Sequence, residues 1–176
     1  MVALIVGIGS ALVYANRDVS GNASKEATKA YVGATLKQAG DLRSRYLRFI
    51  ANGGEPEEFL SDFGPNMATP HKALTTNGWA EWQFTYHPLV LPGIGTSAGE
   101  RAVFFENLTE DACTTINTML HGQAYKTAAS TPAAGIGVWD FGRQGQTITP
   151  GVSGWDIGCL ESTDNAYVFY AVVQDN

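Results

Sequence analysis

The first fifteen residues constrain the fold of this chain more than any other part of it. Residues 1–15 read MVALIVGIGSALVYA and carry no charge, and the polar residues 16–18 end the segment abruptly. In a helix these apolar side chains would cover every side instead of one stripe, which predicts lipid or a bundle of identical helices around them. As a helix the segment rises about 22 Å, less than the roughly 30 Å hydrocarbon core of a bilayer.

Two other interpretations of this segment are open. A secretory signal peptide would begin with basic residues and end in a small-x-small cleavage site, and residues 1–15 show neither clearly. A helix buried in a globular core is the second interpretation, although such a helix usually carries its apolar residues along one face.

The following residues predict a helix that weakens and then resumes. Ser20, Gly21 and Asn22 are poor helix formers, so we expect a break over residues 16–22. The helical period then returns and continues to residues 52–54, where the sequence NGG is a stop signal. The apolar positions of this second half are Ala27, Ala30, Tyr31, Ala34, Ala39, Leu42, Tyr46, Phe49 and Ile50. The wetter face carries Lys25, Lys29, Lys37, Asp41 and Arg45.

The rest of the chain predicts strands and one further helix in a single domain. Thr109 is a candidate helix cap, Ala112, Ile116, Met119 and Leu120 form the apolar face that follows it, and Gly122 is a stop signal. Strand patterns cover residues 81–86, 101–106, 135–141 and 165–173, whereas residues 142–154 predict a loop. The expected fold class is α+β, with a long N-terminal α-helix, apolar in its first half and amphipathic in its second, packed on an antiparallel β-sheet.

Charge and cysteine content narrow the classes of function. The chain has 176 residues, a net charge of -6 and a pI of about 4.9, which disfavours nucleic acid as the primary partner. The cluster of Arg43, Arg45 and Arg48 indicates either a solvated helix face or a contact with an acidic neighbour. Cys113 and Cys159 are compatible with one disulfide in an exported protein, or with two buried free thiols.

The sequence contains no motif typical of a catalytic, metal-binding or nucleotide-binding site. His71, His87 and His121 are scattered and form no HExxH motif, and no GxSxG elbow or P-loop occurs. We therefore expect no catalytic residue, no metal site and no cofactor. A small exported hydrolase with a residual signal segment is kept as a rival hypothesis, because a dispersed Ser–His–Asp site leaves no sequence pattern.

Two parts of the chain resemble one protein family. Residues 5–12, IVGIGSAL, look like the later part of the apolar segment of type IV pilins. The sequence from Leu108 and Thr109 to Cys113, with Cys159 just before the last predicted strand, is similar to type IVb pilins of the toxin-coregulated and bundle-forming kind. This resemblance implies that Cys113 and Cys159 are joined and hold the C-terminal region onto the sheet.

The N-terminus departs from the family pattern at one position. Mature pilins begin with Phe or Met and Thr-Leu-Ile-Glu, and that Glu is the family's assembly determinant, whereas this chain has Ile5 where the Glu would fall. Either several residues that precede Met1 are missing from the chain, or this is a divergent pilin that assembles without the Glu.

The resemblance implies a structural subunit of an extracellular type IV pilus filament, on the cell surface after assembly and in the inner membrane before it. Residues 1–22 would be the filament-core segment and residues 23–176 the globular head, including the amphipathic helix 23–51. The implied partners are identical subunits in a helical filament and the pilus assembly machinery. The alternative is a membrane-anchored minor pilin or type II secretion pseudopilin acting as a binding module. The side chains expected to pack in the filament core are Val2, Leu4, Ile5, Val6, Ile8, Leu12 and Val13.

Overall fold

The structure is a computed structural model that describes residues 3–59, 68–85, 100–122, 154–161 and 167–174, with the backbone alone described for residues 3–23. In chain order, the helices and strands are α1 (Ala3–Ala51), β1 (Gln83–Phe84), β2 (Arg101–Leu108), α2 (Glu110–His121), β3 (Ile157–Glu161) and β4 (Tyr167–Gln174). The 3₁₀ turns Pro56–Glu58 and Lys72–Leu74 lie between α1 and β1.

The four strands form one antiparallel sheet in the order β1-β2-β4-β3. The inner residues of β2 and β4 are buried, and α1 packs against β4 while α2 packs against β3. A helix on an antiparallel sheet confirms the predicted α+β class.

The strand predictions are confirmed to different degrees. The patterns at 101–106 and 165–173 correspond to β2 and β4, but the pattern at 81–86 gives only the two-residue β1. The strand β3 was not predicted, because its glycine and its short length hide the alternation that marks a strand. The predicted strand at 135–141 and His87 lie outside the described residues.

The second half of α1 turns one stripe of side chains toward the sheet. The buried residues of this stripe follow one another at intervals of three or four and are Val32, Thr35, Ala39, Leu42 and Tyr46. The prediction that Ala30 and Ala34 belong to the apolar face is wrong, since both are exposed. Small alanines are compatible with either side of a helix, so the larger Val32 and Tyr46 determine which side is buried. The predicted wetter face is confirmed, because all five of its charged residues are exposed.

The end of α1 follows the predicted glycine stop. Gly53 has a φ of 85°, in the left-handed region, and its N–H donates to the Ile50 carbonyl at 2.9 Å. The Gly54 N–H donates to the Phe49 carbonyl at 3.0 Å. This pair of bonds is a Schellman motif, which satisfies carbonyl groups that the end of the helix leaves without an intrahelical partner.

The backbone of α1 is helical through Ser20, Gly21 and Asn22. The break that the sequence predicts over residues 16–22 is therefore not seen in the backbone of α1. The side chains of the proposed filament-core set lie outside the described residues, so their packing stays a prediction. Within the part of the chain that the structure describes, no helix combines the length and apolar character needed to cross a membrane.

The second helix begins and ends as predicted. The Thr109 hydroxyl accepts a hydrogen bond from the Ala112 N–H at 3.2 Å, and Gly122 adopts the left-handed conformation at the C-terminal end. Ala112 and Ile116 are buried, but Met119 is 47% exposed and does not belong to the apolar face predicted for it.

Candidate functional site

Helix α2 is attached to the outer edge of β3 by a disulfide bond and by side-chain hydrogen bonds. Three residues of α2 spaced by four, Cys113, Asn117 and His121, each contact β3. Residues four apart lie on the same face of a helix, so one stripe of α2 runs along the strand.

The predicted disulfide between Cys113 and Cys159 is confirmed. Both cysteines are 4% exposed, and their Cα atoms are 5.3 Å apart. The bond closes a separation of 46 residues and links the second turn of α2 to the centre of β3. It therefore fixes the helix to the strand through a covalent bond that water and most reductants reach poorly.

Asn117 satisfies both backbone groups of Cys159. Its Nδ2 donates to the Cys159 carbonyl at 3.0 Å, and the Cys159 N–H donates to its Oδ1 at 2.9 Å. The Val172 N–H donates to the Asp156 carbonyl at 2.7 Å. Because hydrogen-bonded and non-hydrogen-bonded pairs alternate along antiparallel strands, the backbone groups of Cys159 then point away from β4. The buried Asn117 amide thus occupies the place of a neighbouring strand.

His121 extends the same edge contact by one turn. Its Nε2 lies 2.9 Å from the Ile157 carbonyl, and its ring stacks on Trp155 with centroids 3.5 Å apart and planes 11° apart. The His121 ring therefore reaches a carbonyl of β3. No sequence signal other than the spacing of residues 113, 117 and 121 indicates this role.

The beginning of β3 is also tied to β4 and α1. The Tyr170 hydroxyl donates to the Trp155 carbonyl at 3.0 Å, and burial raises the pKa of Tyr170, with a smaller increase caused by the Asp156 carboxylate. Arg43 of α1 forms an ion pair with Asp156 at 3.4 Å. Both partners of this pair are about half exposed, so its contribution to stability is small.

A second set of contacts holds the C-terminal end of α1. The Tyr46 hydroxyl donates to Gln174 Oε1 at 2.5 Å, and desolvation by burial raises the pKa of Tyr46. Arg101 donates to the Thr85 carbonyl at 3.0 Å and pairs with Glu57 at 2.8 Å. The C-terminal end of α1 is therefore fixed to β4, and the turn that follows it is fixed to β2.

The face of α1 that points away from the sheet carries more basic than acidic side chains. Lys37, Arg45 and Arg48 are exposed there, and in the described part of the chain none of them pairs with an acidic side chain. A Cβ atom built on Gly33 or Gly40 would have no neighbour within 4 Å. Of the three arginines predicted to cluster, Arg43 is used within the subunit and the other two remain on the surface.

The candidate metal ligands of the described residues do not cluster. The described residues contain no group of three or more His, Cys, Asp or Glu side chains that could hold a metal ion. His71 has a structural role, because its Nδ1 accepts a hydrogen bond from the Ala73 N–H and its ring stacks on Tyr31.

Two concave features lie beside α1. A cavity of about 60 Å³ is lined by side chains that include Gln38 and Trp82. The Gln38 Oε1 and Trp82 Nε1 atoms are buried and have no hydrogen-bond partner among the described residues. A wider groove of about 240 Å³ between α1 and α2 is lined by Lys25, Lys29 and Asp111 among other polar residues. The groove also carries the hydroxyl groups of Ser24, Thr28, Thr114 and Thr115.

No protein-family model matches this chain, and no match to a curated protein or to a solved structure is found.

Proposed function

We propose that this chain is the structural subunit of an extracellular type IV pilus filament. The observation that carries the proposal is α1 itself, a single helix of 49 residues that extends about 70 Å. Its buried stripe on the sheet begins at Val32, whereas its first half has a sequence that is apolar on all sides. Such a helix gives one chain both a folded head and an apolar segment for packing with copies of itself.

The head has the properties that a filament surface requires. A disulfide persists in oxidising surroundings outside the cell, where a filament is exposed. The outer edge of β3 is covered by Asn117 and His121, which blocks uncontrolled pairing with strands of neighbouring subunits. Subunits held at high local concentration would otherwise pair through that edge.

The partners and locations follow from the same proposal. The apolar segment lies in the inner membrane before assembly and in the filament core after it, and the assembly machinery of the pilus moves the subunit between the two. The function needs no cofactor, metal ion or catalytic residue, and its primary partner is another copy of the chain instead of nucleic acid.

Substitution of Ile8 by Asp in the full chain tests this proposal. A carboxylate buried in an apolar helix bundle without a partner is strongly destabilising, so filaments should be lost while the head keeps its disulfide and its resistance to protease. Lys72→Asp is the matched control, because Lys72 is exposed on the head and its substitution should leave filaments intact.

Normal filaments from the Ile8→Asp chain would contradict the packing role of the segment. A wild-type chain that stays as membrane-bound monomers or short tips would instead favour the minor pilin or pseudopilin alternative.

A further inference from the structure

The charges of this chain are divided between α1 and the rest of the molecule. Residues 24–51 carry six basic and two acidic side chains, a net charge of +4, whereas residues 52–176 carry four basic and fourteen acidic side chains, a net charge of -10. The first 23 residues contribute one charge of each sign, which together accounts for the net charge of -6 of the whole chain. The second half of α1 therefore has a net positive charge, and the chain that follows it has a net negative charge.

The positive surface is the basic face of α1, defined by Lys37, Arg45 and Arg48. Lys37 and Arg48 lie opposite the buried stripe, and Arg45 lies beside it, where it lines the cavity next to Trp82. All three are exposed, and the face also carries one exposed acid, Asp41. The Arg48 Nε donates to the Ser44 carbonyl of its own helix at 3.2 Å, which holds the guanidinium group on the surface without neutralising it. Two other basic residues of the helix differ, since Lys29 pairs with Glu26 and Arg43 with Asp156.

The negative surface is the acidic turn, residues 55–58, which follows α1 directly. Glu55, Glu57 and Glu58 are all exposed, and Glu57 is held by its 2.8 Å ion pair with Arg101. The exposed acids at the start of α2 are already compensated within the subunit, because they face the positive end of the helix dipole and Asp111 shares a groove with Lys25 and Lys29. The acidic turn has three exposed acids within four residues, which is the densest such group among the described residues.

The shape of the helix beside the basic face allows a close approach. Gly33 and Gly40 are two turns apart on one side of α1, and Leu47, a further two turns along, is 50% exposed. Glycine is the weakest helix former after proline, and no contact within the described subunit requires it at either position. Another molecule could approach this side of α1 closely because the two glycines have no side chains, and Leu47 would supply an apolar contact to it.

We infer that the basic face of α1 docks on the acidic turn of a second copy of this chain. The inference rests on the proposed function and specifies which surfaces of the head meet in the polymer. The contact joins two different patches, so it is heterologous, and repeated use of a heterologous contact produces a ring or an open helical filament. Complementary charges also suppress like-to-like pairing, since two basic faces repel each other.

Charge reversal in the full chain tests the inference. The basic-reversed variant carries Lys37→Glu and Arg48→Glu, and the acidic-reversed variant carries Glu55→Lys and Glu58→Lys. Each variant alone should assemble about tenfold less than wild type or worse, because like charges then meet at the contact. A 1:1 mixture of the two variants should restore assembly, since each reversed basic face then meets a reversed acidic turn. Lys72→Glu, an equivalent change at an exposed residue that belongs to neither patch, is the control and should assemble normally.

The readouts are the filament yield by electron microscopy and self-association of the detergent-solubilised chain by sedimentation. Normal assembly of both single variants, or a mixture that fails to recover, would overturn the inference. Normal assembly combined with lost binding to anionic lipid vesicles by the basic-reversed variant would overturn it in favour of a lipid surface.

Failure of the proposed function has a different signature from failure of this inference. A wild-type chain that forms salt-sensitive, reversal-sensitive oligomers but no filaments would contradict the filament and support the contact. A wild-type chain that remains monomeric in both assays would overturn both.

Discussion

Asn117 of α2 binds the backbone N–H and the backbone carbonyl of Cys159 at the outer edge of β3. A side-chain amide has one donor group and one acceptor, as a peptide unit has, so it can replace an adjacent strand at one residue. The disulfide from Cys113 reaches the same residue through its side chain. Cys159 is thus fixed to α2 through its backbone and its side chain together.

Replacement of Asn117 by Ala should destabilise the head by about 2–3 kcal/mol, because it leaves two buried backbone groups without partners. Thr118→Ala is the control, since the Thr118 hydroxyl donates only to the Thr114 carbonyl of its own helix and is exposed; its effect should stay within about 0.5 kcal/mol. Urea unfolding followed by circular dichroism measures both. Equal stabilities of the two variants would show that water or a shifted strand satisfies the Cys159 groups.

Loss of the disulfide should destabilise the head without removing its fold. A closed separation of 46 residues corresponds to about 4 kcal/mol of chain entropy in the unfolded state. The Cys113→Ala, Cys159→Ala double variant should therefore unfold at a lower urea concentration than wild type under oxidising conditions. With a reductant that opens the bond in the unfolded wild-type protein, the two curves should converge, and a persistent gap would contradict the entropic account.

Two glycines, one within α1 and one just after its end, should respond to alanine with opposite signs. Gly53→Ala places a Cβ atom in the left-handed region at the end of α1 and should cost about 1 kcal/mol. Gly40→Ala lies within the helix with open space around it and should stabilise the folded chain by up to about 1 kcal/mol. Thermal unfolding of the two variants distinguishes the effects. A destabilising Gly40→Ala would indicate a close neighbour at that position within the subunit.

The stability of the head should fall at alkaline pH because of its buried tyrosines. Burial raises the pKa of Tyr170 and of Tyr46 above the ordinary value of 10.0. The folded state therefore holds these protons more tightly than the unfolded state, so the stabilisation is complete below pH 10 and is lost progressively as the pH rises above it.

Tyr170→Phe checks the alkaline effect. Loss of the hydrogen bond to the Trp155 carbonyl should cost about 1 kcal/mol at neutral pH, but the decline above pH 10 should become shallower than in wild type. Unfolding free energies measured across the range from neutral to alkaline pH give both quantities. An unchanged slope would assign the alkaline loss to other groups.

The sequence was most informative where local chemistry determines the structure. The cap at Thr109 and the stops at Gly53 and Gly122 were predicted because hydrogen bonding by a threonine hydroxyl and the tolerance of glycine for left-handed φ operate within a few residues. The long strands β2 and β4 were predicted because runs of Val, Phe and Tyr favour extended backbone.

The sequence was least informative where a tertiary contact selects between equivalent local choices. The alanine-rich part of α1 could pack on the sheet with different sides facing it. The side that is buried carries Val32 and Tyr46, and Tyr46 contacts Gln174, which lies far along the chain. The role of Asn117 was missed because an asparagine within a helix is locally unremarkable, and its purpose becomes visible only when β3 lies beside it. The surfaces proposed for assembly follow from exposure, which sequence periodicity alone does not determine.

The most direct test of the central claim is electron microscopy of material sheared from cells that produce this chain, combined with mass spectrometry of its N-terminal peptide. The account predicts uniform thin filaments made of this chain, with the apolar segment of residues 1–15 retained in every subunit. Soluble monomers from which that segment has been removed would contradict it, since the segment would then be a signal peptide and the head would act without a filament.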